Sequence, residues 1–166
     1  MKIVVCSGSG TGDTKLSAFD NALKSAGVYN YNLIKLSSVI PPNSEIVIEK
    51  YKSPENEFGD RLYVVCAEER TDLVGRSIAA GIGWYQWDDG RGVFAEHHDI
   101  IEALDEKEAE KNVSTKLETT VRNLCEHRNI PFKRSKMGML ISSKEVRTKP
   151  TCTLVIAVYK SSDWGK

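Results

Sequence analysis

Side chains able to do chemistry cluster in a few short stretches of this chain. Ser37 and Ser38 are adjacent hydroxyls, followed by Val39-Ile40 and then Pro41-Pro42. A serine hydroxyl becomes a nucleophile when a base or a constrained backbone activates it; otherwise such a pair is simply turn-forming. Glu96-His97-His98 follows the apolar run Gly92-Val93-Phe94-Ala95. Neighbouring residues of a strand point to opposite faces, so His97 and His98 do not readily share a metal. His127, the remaining histidine, is far along the chain. A solvated turn is therefore expected at His97 and His98. Glu96 ends the apolar run, either as a surface acid or as one projecting into a pocket. Asp20 lies between Phe19 and Leu23, at the edge of an apolar stripe, where exposure is the default and pairing with a cation the alternative.

The glycines Gly8, Gly10 and Gly12 invite a phosphate-binding reading. Their spacing is GxGxG, not GxGxxG, and no Lys-Ser or Lys-Thr follows. A turn requiring positive φ is the expectation instead. Cys6, Cys66, Cys125 and Cys152 show no metal-ligand spacing, and three of them sit in apolar contexts, as small buried hydrophobes do. No metal is expected.

These groups must be carried by a framework. Residues 2–6 read as a short buried strand and residues 8–13 as a loop. A helix is predicted over residues 14–26 from Leu16, Phe19, Leu23 and Ala26 at helical spacing, with Asp13 or Thr14 as cap and Gly27 as stop. Strands are predicted over 32–36, 45–49, 61–67 and 92–96, with residues 53–56 as a turn. Residues 76–87 are ambiguous, but Gly81, Gly83 and the nearby aromatics favour strand. Residues 105–128 form the clearest helix, with Val113, Leu117, Val121 and Leu124 in one stripe. Strands over 137–141 and 151–159 complete the chain. Strand, helix, several strands, long helix, strands is an α+β order, not a regular βαβ winding.

The 166 residues fit one domain, residues 1–166, large enough to bury a core without disulfides. Lys and Arg number 23, as do Asp and Glu, so no overall field draws in nucleic acid or an anionic membrane. The longest apolar runs are far shorter than the ~20 residues of a spanning helix. The apolar stretch after Lys2 is too short for a signal peptide, so a cytoplasmic location is expected.

Taken together, the order of these motifs resembles the pyruvoyl-dependent arginine decarboxylases. The similarity is dense over residues 8–47, GSGTGDTKLSAFDNALKSAGVYNYNLIKLSSVIPPNSEIV. It rests on the Gly-rich segment, Ala18-Phe19-Asp20, and NLIKLSSVIPP from Asn32 to Pro42. GVFAEHH, from Gly92 to His98, resembles the family's second acid strand. The resemblance implies a four-layer αββα sandwich, antiparallel-rich, assembled as a trimer with active sites between protomers. It implies a pyruvoyl group made from Ser38, without metal or pyridoxal phosphate, acting on a small amino-acid substrate.

Decarboxylation leaves a carbanion that side chains cannot delocalise, so an electron sink is needed. By resemblance, the Ser38 hydroxyl attacks the Ser37 carbonyl, the amide becomes an ester, elimination leaves dehydroalanine, and loss of ammonia yields pyruvoyl. The substrate amine then forms a Schiff base with it. Asn32 aligns with an asparagine placed to stabilise the oxyanion of the acyl shift. Glu96 aligns with the proton donor to Cα, a role needing a raised pKa and mattering for turnover more than for processing. Asp20 aligns with the acid that receives the guanidinium of arginine. The same chemistry on another basic amino acid, or an uncleaved relative binding a small cationic ligand, are the alternatives. A nucleotide-binding module is disfavoured by the glycine spacing.

Overall fold

The computed structural model describes residues 1–165. Nine strands and two helices are arranged as β1 (Lys2–Thr11), α1 (Lys15–Ala26), β2 (Asn32–Lys35), β3 (Val39–Ile40), β4 (Glu45–Ile48), β5 (Arg61–Thr71), β6 (Arg76–Gln86), β7 (Gly92–Ile101), α2 (Glu106–Glu126), β8 (Gly138–Val146) and β9 (Thr151–Ser162). The strands form a five-stranded sheet, β2-β5-β9-β1-β4, and a four-stranded sheet, β3-β7-β6-β8. Only β1–β4 and β2–β5 pair in parallel. The α+β sandwich with antiparallel-rich sheets is as expected.

Alternation along the strands builds the layers. On β1, Ile3 and Val5 face the second sheet and meet Ala80, Ile82 and Phe94. Cys6, on the opposite face, meets α1 through Ala18, Ala22 and Ala26. On the outer face of the second sheet, Val113, Leu117, Val121 and Cys125 of α2 pack on Ala79, Tyr85 and Ala95. The chain is thus helix, sheet, sheet, helix. Leu124, placed in the α2 stripe from sequence, is only partly buried, while Ala109 and Cys125 complete the buried row.

The helix ends obey local chemistry. Thr14 Oγ1 accepts from the Ser17 amide at 3.1 Å, and Ser17 Oγ accepts from the Thr14 amide at 3.0 Å, a reciprocal cap. Gly27 ends α1 at φ 90°, a conformation glycine takes without steric cost. Asp105 caps α2 by accepting from the Glu108 amide at 3.0 Å.

The glycine-rich segment departs from expectation. It is not a loop: Gly8 and Gly10 lie inside β1, Gly12 follows it, and none has positive φ. The three alternate onto the face that receives α1. A Cβ on Gly8 would lie 2.2 Å from the Ala22 carbonyl oxygen, one on Gly10 2.6 Å from the Ala22 amide nitrogen, and one on Gly12 2.2 Å from Ser17 Oγ. The period-two glycines exist so that helix and strand backbones can touch. Gly8→Ala is expected to destabilise the fold by about 1–3 kcal/mol, the usual cost of overpacking, read from denaturant unfolding. No loss of stability would contradict this role.

The segment at 53–56 turns as expected, with one 3-10 turn at Glu55–Glu57. The cysteines are all free, and burial pushes the Cys6 thiol up to about 11 and those of Cys66 and Cys152 up to about 12. Among the described residues, no helix is long and apolar enough to cross a membrane.

Candidate active site

Ser37 and Ser38 lie where the chain changes sheets. The Leu36 amide still donates to the Val64 carbonyl of the first sheet, at 2.8 Å. Two residues later the Ser38 carbonyl accepts from the Phe94 amide of the second sheet, at 2.8 Å. Val39 and Ile40 then pair with Val93 and Gly92 as an edge strand, β3, which the prolines at 41 and 42 follow immediately. Ile40 is buried and anchors this crossing. On the other side, the Tyr159 hydroxyl donates to the Val39 carbonyl at 2.9 Å.

This short crossing places Ser38 at φ 64°, in the left-handed region. Non-glycine residues seldom occupy it, and doing so costs on the order of 1–3 kcal/mol. Ser37 is exposed and Ser38 half-buried. Strain at a proposed cleavage position is therefore observed, not inferred from function.

Glu96 is in the middle of β7, not at a strand end. It shares the inward face with Phe94, and its Oε1 accepts from Ser38 Oγ at 2.6 Å. That is a short, charge-assisted contact between a hydroxyl and a carboxylate. Nearby, Tyr159 packs edge-on against Phe94, ring centroids 6.1 Å apart. Burial first, and then the Glu96 carboxylate, hold the Tyr159 phenol above its ordinary pKa, so it remains a donor.

His97 and His98 are corrected by the structure: they continue β7 instead of forming a turn. Their opposite facing is as expected. His97 Nε2 lies 2.7 Å from Thr120 Oγ1 of α2, and His98 Nδ1 lies 2.6 Å from Glu69 Oε2 of β5. Partial burial, then the Lys116 charge, lower the His97 pKa. Among the described residues, no group of three or more His, Cys, Asp and Glu side chains is placed to hold a metal.

Ser37, Ser38, Phe94, Glu96, His97, Thr120 and Arg128 line a cavity of about 340 Å³. That is within the range of small-ligand sites. A larger cavity of about 480 Å³, bounded by Trp87, Arg91 and Lys133, contains neither Ser38 nor Glu96. Chemistry, not size, selects the smaller one.

The structure does not bring together all the residues singled out from sequence. Asn32 begins β2, and its side-chain Nδ2 donates to the Gly59 carbonyl at 2.6 Å. From there to Leu36 the strand runs four residues, roughly 13 Å, before the crossing to Ser38. Asp20 is exposed on α1, on the outer side of the first sheet, with no hydrogen bond or ion pair among the described residues. Within the single chain it does not line the Ser38 cavity. Conversely, nothing in the sequence marks the Phe94 amide, Tyr159 or Thr120. They reach the site only through strand pairing and layer packing, which no local motif announces.

The order and geometry of these elements can be set against known proteins. The sequence profile of pyruvoyl-dependent arginine decarboxylase matches residues 2–163. The chain belongs to that family. A pyruvoyl-dependent arginine decarboxylase of Methanococcoides burtonii is 37% identical over 126 residues, 72% of this chain and 69% of the relative. One from Methanothermobacter thermautotrophicus is 42% identical over 79 residues, 48% and 52% of the two chains. One from Thermococcus sibiricus is 43% identical over 83 residues, 49% and 51%. The chain thus matches about half to two thirds of the length of these relatives. Membership in the pyruvoyl-dependent arginine decarboxylases implies a pyruvoyl cofactor, and the residues present fit one. Ser38 supplies a hydroxyl in a strained turn, with a carboxylate on it and a cavity beside it.

Proposed function

We propose that this chain cuts itself between Ser37 and Ser38, converts Ser38 into a pyruvoyl group, and decarboxylates L-arginine to agmatine and carbon dioxide. The observation that carries this is the 2.6 Å contact of Ser38 Oγ with Glu96, made by a serine held at positive φ. Glu96 takes the hydroxyl proton as Oγ bonds to the Ser37 carbonyl carbon. The bond from that carbon to the Ser38 nitrogen breaks, and the nitrogen takes up a proton. Loss of the Ser38 Cα proton then breaks the Cβ–Oγ bond and releases Ser37 as a carboxylate. The remaining dehydroalanine tautomerises to an imine, adds water and loses ammonia. The contact supports a part for Glu96 in processing, beyond the turnover role expected from sequence.

A pyruvoyl group at position 38 supplies the electron sink that decarboxylation needs. Glu96, already within hydrogen-bond reach of position 38, then delivers a proton to the substrate Cα. Asn32 stands apart from Ser37 in the uncleaved chain, and its oxyanion role rests on the resemblance alone.

Asp20 enters through assembly. The proposal is a homotrimer in which one copy presents Asp20 to the Ser38 cavity of the next. Supporting it, Leu16 lies one turn before Asp20 and is 70% exposed, while exposed Ile34 and Val39 flank the cleavage segment. Asp20→Asn should leave cleavage intact and raise the KM for arginine well over tenfold, since an unpartnered charged hydrogen bond at an interface costs about 2–5 kcal/mol. A nearly silent substitution would make Asp20 a solvated helix acid. The functional test is turnover of arginine, lysine, histidine and aspartate, followed by carbon dioxide release. Arginine is expected to be preferred; faster turnover of aspartate or histidine would overturn the arginine assignment.

A further inference from the structure

Two hydrogen bonds hold the backbone around Ser38. The Phe94 amide takes the Ser38 carbonyl at 2.8 Å, and the Tyr159 hydroxyl takes the Val39 carbonyl at 2.9 Å. They come from different sheets, β7 and β9, so the segment is fixed from two directions. β3 pairs with β7 over only two residues. A two-residue edge strand has little ladder to resist relaxation of a left-handed serine, so something beyond the ladder must hold it. Tyr159 is suited to that task. Its ring is seated edge-on against Phe94, the residue whose amide makes the other bond.

We propose that Tyr159 is a positioning residue for self-cleavage: by holding the Val39 carbonyl, it keeps Ser38 in the left-handed turn that aims Oγ at Glu96. This rests on the processing reading above. Phe94, Glu96, Val39 and Tyr159 all lie after the cleavage position, so both bonds stay within the larger product.

The test is Tyr159→Phe, which keeps the ring and removes the donor. Newly translated wild type and variant are sampled over time on denaturing gels, and their melting temperatures compared. Cleavage should be about tenfold slower in the variant, as expected when one hydrogen bond that orients a reacting group is lost. The melting temperature should barely change. As a second measurement, amide hydrogen exchange is followed on the uncut Ser38→Ala chain with and without Tyr159→Phe. The Phe94 amide should exchange faster without the phenol, while the central amides of β6 do not change. A merely structural tyrosine would lower melting and central protection together. Equal cleavage rates, or unchanged Phe94 exchange, would overturn the role of Tyr159 alone. An uncut wild type would instead remove the processing reading and this role with it.

Discussion

Ser38→Ala is expected to give a single uncut chain of 166 residues with no decarboxylase activity. Alanine has no Oγ, so the acyl shift cannot begin and no pyruvoyl forms. The loss is complete and not graded, because the same atom starts the backbone reaction and determines the cofactor. The fold should survive. Ile40 still anchors the crossing, and the Phe94 and Tyr159 hydrogen bonds go to backbone carbonyls that alanine retains. Ser38→Cys keeps a nucleophile at the same place and should still cut, more slowly. A denaturing gel separates these outcomes. Normal cleavage of Ser38→Ala would move the site elsewhere.

Glu96→Gln should impair both steps. An amide can accept the Ser38 hydroxyl bond in the geometry now seen at 2.6 Å, but it cannot take the proton. Nor can it deliver one to Cα. Loss of a general acid or base typically costs 10²–10⁴-fold, so cleavage and turnover should each slow at least ~100-fold. Turnover is measured per cleaved chain, after the slow cut has gone to completion. A variant that cuts at the normal rate yet turns over slowly would restrict Glu96 to the substrate step. One that does both normally would remove it from the mechanism.

What could be read from the sequence follows the range of the forces involved. The buried face of helix α1 is not the expected stripe: Leu16 is 70% exposed, and Ala18, Ala22, Leu23 and Ala26 are the residues the sheet covers. The bounds of the helix, by contrast, are set by local chemistry, a Thr cap and a Gly stop. The α+β order was legible for the same reason. The glycines at 8, 10 and 12 misled, because alternating glycine on a strand matters only when a helix lands on it. That helix is close in sequence, but its contact is tertiary. His97 and His98 misled similarly. A polar run looks like a turn until pairing with β6 carries the strand through to Ile101. At the site, Ser38 and Glu96 were each legible as candidates, but their contact joins residues 58 apart and depends on β3 pairing with β7. The left-handed Ser38 was not legible, since it arises from a two-residue crossing between sheets. Asp20 shows the remaining gap. Its type and position on α1 were readable, while a role in the cavity requires a surface from another copy of the chain.

Self-cleavage underlies everything assigned to Ser38, and intact mass of the purified, denatured wild-type protein tests it most directly. Two chains are expected, one of the 37 residues ending at Ser37 and one of the remaining 129 beginning with a pyruvoyl group in place of Ser38. The larger should lack a free amino terminus and should gain the mass of a carbonyl reagent such as phenylhydrazine. A single intact chain of 166 residues in freshly purified and aged protein alike would contradict the assignment. The chain would then stand as an uncleaved relative whose cavity binds a small cation without turning it over.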